Sequence, residues 1–74
     1  MKNNARENEV QVGAHCRAQW NIRTAQGLIR QGTRGTVREE QRGTLKRRLV
    51  WVDWENGLST VVPLADITVL RRVK

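Results

Sequence analysis

The sequence predicts an all-β fold of five short strands, with a long first loop and one 3₁₀ turn before the last strand. Three observations carry that expectation. From Val10 to Trp20 apolar and polar residues alternate, the period of a strand with one buried face. The run Leu45 to Trp54, LKRRLVWVDW, is rich in β-favouring residues and leads into Asn56-Gly57, a tight-turn pair between β segments. The only proline, Pro63, stops a short run that begins at Ser59, leaving room for one turn and one strand.

Taken in order, residues 1–8 are polar, with three Asn and mixed charge, and read as a flexible tail. The first strand places Val10, Val12, Ala14, Cys16, Ala18 and Trp20 inward. It places Gln11, Gly13, His15, Arg17 and Gln19 outward, with a break or bulge at Gly13. Between Asn21 and Gln31, the apolar Ile22, Leu28 and Ile29 follow neither period, and Gly27 interrupts them. That segment reads as a long irregular loop or a frayed hairpin.

The stretch Arg30 to Glu39, RQGTRGTVRE, has the glycines and hydroxyls of a phosphate cradle. A P-loop, however, needs four residues between its glycines, then Lys and Ser/Thr opening a helix. Gly32 and Gly35 are too close together, no lysine follows, and Thr36 and Val37 favour β structure. The glycines therefore serve as turn and bulge positions.

Gln41-Arg42-Gly43-Thr44 reads as a hairpin connection with Gly43 left-handed. In the strand Leu45 to Trp54, the residues Val50, Val52 and Trp54 face the core, and Leu49, Trp51 and Asp53 face away. Ser59 to Val62 is the fourth strand. Leu64 to Ile67 has the length of a single 3₁₀ turn, and Thr68 to Leu70 is the last strand.

Seventy-four residues make one thin domain. Fourteen Lys plus Arg stand against seven Asp plus Glu, for a net charge of +7, and eleven of the fourteen are Arg. The guanidinium fork binds phosphate bidentately and stacks on bases. A domain this basic carries the electrostatic footprint of a nucleic-acid binder. Charge of this size also suits plain solubility. No apolar run is long enough for a secretory signal or a membrane span, so a soluble, cytoplasmic protein without a membrane partner is expected. The single Cys16 forms no internal disulfide and suits a reducing compartment as a buried thiol.

Catalytic and metal chemistry are not expected. His15 and Cys16 are adjacent in a strand and project to opposite faces, so they cannot form a nucleophile–base pair. A zinc site needs about four Cys/His ligands. Glu39 and Glu40 likewise diverge, and pair instead with Arg38, Arg42, Arg47 or Arg48. The expectation is a non-enzyme with no cofactor and no small-molecule substrate.

The phrases GTRGTV, VWVDWENG and VPLADITVL resemble the recurrent run of small SH3-like β-barrels. That run is a glycine turn with Gly-x-Val, then Val-x-Trp with an acidic residue and Gly, then Pro and a closing hydrophobic strand. The resemblance covers about Val10 to Leu70 and implies a barrel over residues 9–71 and a basic end at 72–74. KOW-like and Tudor-like basic barrels imply a nucleic-acid or peptide partner. Barrels that serve as accessory subunits of photosynthetic assemblies imply docking of an acidic protein. The plasmid-encoded dihydrofolate reductase barrel is set aside, because its Val-Gln-Ile-Tyr segment has no counterpart here.

The candidate nucleic-acid-binding set is Arg34, Arg38, Arg42, Lys46, Arg47 and Arg48 around the central hairpin, with Trp51 on the same outer face. Cations flanking an exposed ring let charge track a single-stranded backbone while the ring stacks a base. Trp51 alternatively caps the open end of the barrel, and Trp20 and Trp54 pack in the core. Arg71 and Arg72 either add phosphate neutralisation or form a solvated tail. Contacts of this kind imply RNA or DNA binding with little sequence preference. The alternative is a protein-interaction module or accessory subunit that docks an acidic protein.

Overall fold

A computed structural model describes residues 11–42 and 47–70, the side chain of Arg42 excepted. The tail at 1–8, Val10, the turn at Gly43 and the candidate residues Lys46, Arg71 and Arg72 lie outside the described residues.

The described chain is all-β. Its strands are β1 (His15–Ala18), β2 (Ile22–Thr24), β3 (Gly27–Ile29), β4 (Arg34–Arg42), β5 (Arg48–Trp54), β6 (Ser59–Pro63) and β7 (Ile67–Val69). A single 3₁₀ turn, Leu64–Asp66, separates the last two, as the sequence predicts. Five strands form one antiparallel sheet in the order β6-β5-β4-β1-β7, and β2 pairs with β3 as a separate hairpin. The first and last strands are therefore neighbours, which brings the two ends of the described chain together.

The core follows from side-chain alternation. Cys16 and Ala18, Val37, Val50, Val52 and Trp54, Val62, and Ile67 all point to one side of the sheet and are buried. The β2–β3 hairpin supplies Ile22 and Ile29 to the same cluster. Full burial of a valine or isoleucine side chain contributes ~1.5–3 kcal/mol each, so this small set holds most of the folding free energy. The one buried polar side chain among the described residues, Thr60, accepts a hydrogen bond from Trp54 Nε1 at 2.9 Å. An indole N–H inside a core needs such a partner.

Gly35 is the junction of the sheet. It opposes Cys16 on β1 and Trp54 on β5, and it is buried between them. A Cβ at this position would lie 2.5 Å from Val52 Cγ1 and 2.9 Å from Trp54 Cε3. Glycine is required here for close approach, since its φ is not positive. The bulge that the sequence places at the glycines instead falls at Arg38, where the register with β5 shifts between Val37 and Glu39. Gly32 is a turn residue with φ +87. At the other hairpin, Gly57 has φ +95 and donates its N–H to Trp54 O at 3.0 Å, the Asn-Gly turn expected.

Three expectations are corrected. The first strand is short, so Val12 is 72% exposed, and Trp20 lies beyond the end of β1 and is 49% exposed. Both match the alternation, yet neither has a neighbouring strand to hold it inward. The segment after Trp20 is not a long irregular loop but a hairpin, the other of the two readings, and it is ordered: Thr24 Oγ1 donates to Gly27 O at 2.7 Å and accepts from the N–H groups of Gln26 and Gly27. Third, Arg48 shares a side of the sheet with Val50 instead of facing outward with Trp51. No helix among the described residues is long and apolar enough to cross a membrane.

Candidate nucleic-acid interface

The outer side of the sheet divides at β4. On the β4–β5–β6 half, the bulge turns Arg38 over the ring of Trp51, with its Cζ 4.6 Å from the ring centroid. Trp51 Nε1 donates to Ser59 Oγ at 2.7 Å, and Ser59 Oγ donates to Asp53 Oδ1 at 2.7 Å. Asp53 Oδ1 also lies 3.7 Å from Arg38 Nη1. The cation, the ring, the hydroxyl and the carboxylate thus form one closed circuit. Both charged side chains are about half exposed, so their ion pair contributes at most ~1 kcal/mol. The ring is half-buried, with a guanidinium where a base would stack.

Arg48 is likewise engaged. Its Nε donates to Glu40 Oε2 at 2.7 Å, a short charge-assisted hydrogen bond at the distal end of β4 and β5. The sequence expectation that Glu40 pairs with a nearby arginine holds. Arg47 is exposed just before β5.

The β4–β1–β7 half is different. Arg17 on β1 stands directly opposite Arg34 on β4, and both are exposed. Side chains directly opposed on antiparallel strands have Cβ atoms about 4.5–5.5 Å apart, and like charges so placed destabilise the pairing. The next pair along, His15 opposite Thr36, faces the same way, and Thr68 flanks Arg17 on β7. Neither Arg17 nor Arg34 joins the two described ion pairs. Glu55 continues the row, its backbone N–H bonded to Arg34 O at 2.8 Å, without an ion pair to that guanidinium.

Of the sequence-predicted set, Arg34 thus lies on one half, and Arg38 and Trp51 on the other. Arg48 lies on the core side of the sheet, and Arg47 beside the end of β5. Sequence reasoning put Arg17 on the outer face but left it out of the candidate set. Its parity was visible; its position opposite Arg34 depends on a strand register that alternation does not reveal.

Cys16 is chemically quiet. Burial pushes its thiol up to about 11, only partly offset by a hydrogen bond from the Gly35 backbone. It is a packed thiol and not a nucleophile at neutral pH. Among the described residues, no group of three His, Cys, Asp or Glu side chains could hold a metal ion.

No family model matches the chain, and no curated protein or solved structure matches it significantly.

Proposed function

We propose that this protein is a small SH3-like barrel that binds a polyanionic chain, RNA or DNA, through arginine–phosphate contacts on the outer side of β1 and β4. Support for the barrel comes from the strand order. The long, bulged β4 pairs with β1 at one end and β5 along most of its length, the first and last strands are adjacent, and a hairpin covers the core.

The observation that carries the binding role is the Arg17–Arg34 pair. Two like charges opposed in register, with no carboxylate among the described residues paired to either, weaken the free fold and gain most from an anion that bridges both. Phosphate contacts of this kind position a strand without reading its bases, so sequence preference is slight. The test is binding of homopolymer RNA and DNA at two salt concentrations. Affinity that falls steeply with salt, as counterion release demands, is the expected result. Absence of binding to either polymer at low salt overturns the reading.

A second reading has its own observation. Among the described residues β6 is an edge strand, paired only with β5, and it carries no charged residue. Val61 is 42% exposed on it, and a cleft of about 510 Å³ separates it from the β2–β3 hairpin. An extended segment of a protein partner could add a strand there. Recovery of one stoichiometric protein from native lysate after nuclease treatment would favour this second role.

A further inference from the structure

We infer that the polyanion is single-stranded and that Trp20, not Trp51, is the ring on which its bases stack. This rests on the proposed nucleic-acid role and narrows it to one strand form and one aromatic residue.

Trp20 sits where the chain leaves β1, and 49% of it is exposed. A single exposed tryptophan is ordinary on a protein surface. What sets this one apart is how it is held. Gln19 N–H donates to Asp66 O at 2.9 Å, and Gln19 Nε2 donates to Ala65 O at 2.8 Å. Trp20 Nε1 donates to Asp66 Oδ1 at 3.1 Å. The indole is therefore fixed by its polar edge to the 3₁₀ turn, a partner 46 positions away in the chain. An edge held in this way orders the ring while leaving much of its apolar surface in water.

Cations flank it. Arg17 lies three residues back along the chain, beside Arg34. Gln31 N–H donates to Asn21 Oδ1 at 2.8 Å, which holds the exposed Arg30 segment next to the residue that follows Trp20. Asp66, its carboxylate on the indole edge, repels phosphate, and the proposed backbone track runs past Arg17 and Arg34 instead. Charge along the track with an ordered ring beside it is the arrangement that binds single strands. A duplex keeps its bases stacked on one another and offers Trp20 nothing to stack on. Trp51 lacks this geometry, because Arg38 occupies its face.

The test uses fluorescence anisotropy of a labelled oligo-dT and of a duplex of equal length, at low salt. Trp20→Ala should weaken oligo-dT binding roughly 5- to 100-fold, leave duplex binding unchanged, and abolish most of the tryptophan quenching on titration. Trp20→Phe, which keeps a ring but loses the indole N–H that fixes it to Asp66, should bind oligo-dT more tightly than Trp20→Ala and less tightly than the wild-type protein. Unchanged thermal midpoints for both variants separate stacking from folding. If the wild-type protein binds both nucleic acids and Trp20→Ala alters neither, or both equally, the inference fails and the phosphate-binding role stands. If the wild-type protein binds neither, that role fails and the inference goes with it.

Discussion

Two halves of one sheet use arginine in opposite ways. On the β4–β5–β6 half, Arg38 is satisfied internally by a ring beneath it and a carboxylate beside it. On the β4–β1–β7 half, Arg17 and Arg34 face each other with no such partners among the described residues. The first arrangement stabilises the folded chain, and the second strains it slightly. Net charge alone cannot separate the two; only the pairing can. Surface arginines satisfied by their own protein are structural, and those left opposed are the ones with free energy to gain from a ligand.

The contrast breaks altogether if the junction between the halves is lost. Gly35→Ala would set a Cβ 2.5 Å from Val52 Cγ1 and 3.1 Å from the Asp53 carbonyl oxygen, so β5 would have to shift away from β4. A cost of about 3 kcal/mol is expected, a large share of a small domain's stability, measured as a lowered midpoint in urea. A smaller loss follows from Thr60→Val, which leaves the Trp54 indole N–H buried without an acceptor. It should cost ~1–3 kcal/mol by the same measurement.

The β1–β4 contact has a pH signature. The Cys16 thiol titrates near 9.0 when unfolded and near 11 when buried, so the unfolded chain ionises first as pH rises. Stability is whole below pH 9 and declines between pH 9 and 11, by up to ~3 kcal/mol for two pKa units. Cys16→Ala should be less stable at pH 7 and should lack this decline. A parallel decline in both proteins would assign it to other groups.

The smallest effects sharpen the contrast most, because their signs differ. Arg17→Thr removes one of two opposed charges and should raise stability by a few tenths of a kcal/mol. Arg38→Ala removes a cation–ring contact and an exposed ion pair, and should lower it by ~0.5–1 kcal/mol. Thermal midpoints moving in the same direction for both would erase the distinction drawn between the halves.

Much of the framework was legible in the sequence, and the reasons are local. Val50, Val52 and Trp54 alternate inside a strand flanked on both sides, so period two reports burial faithfully. Asn56-Gly57 and Pro63 act through their own backbone restrictions. Trp20 was misplaced because it extends the alternation past the point where pairing ends, and its actual partner is Asp66 on a distant turn. The β2–β3 hairpin was blurred because Ile22 and Ile29 are mirror positions about a turn and follow no single repeat. The candidate site suffered most. Which arginines stand opposed depends on β1 meeting β4 in one register, with Arg17 and Arg34 brought together across an intervening hairpin.

The most direct test is the salt dependence of oligo-dT binding, compared between Arg17→Ala/Arg34→Ala and Arg38→Ala. Removing the opposed pair should flatten the slope of log K against log salt by roughly 1.4, two phosphate contacts at ~0.7 each on a single strand, while Arg38→Ala leaves it unchanged. A slope untouched by losing the pair, or flattened only by losing Arg38, would contradict the assignment of binding to the β1–β4 face.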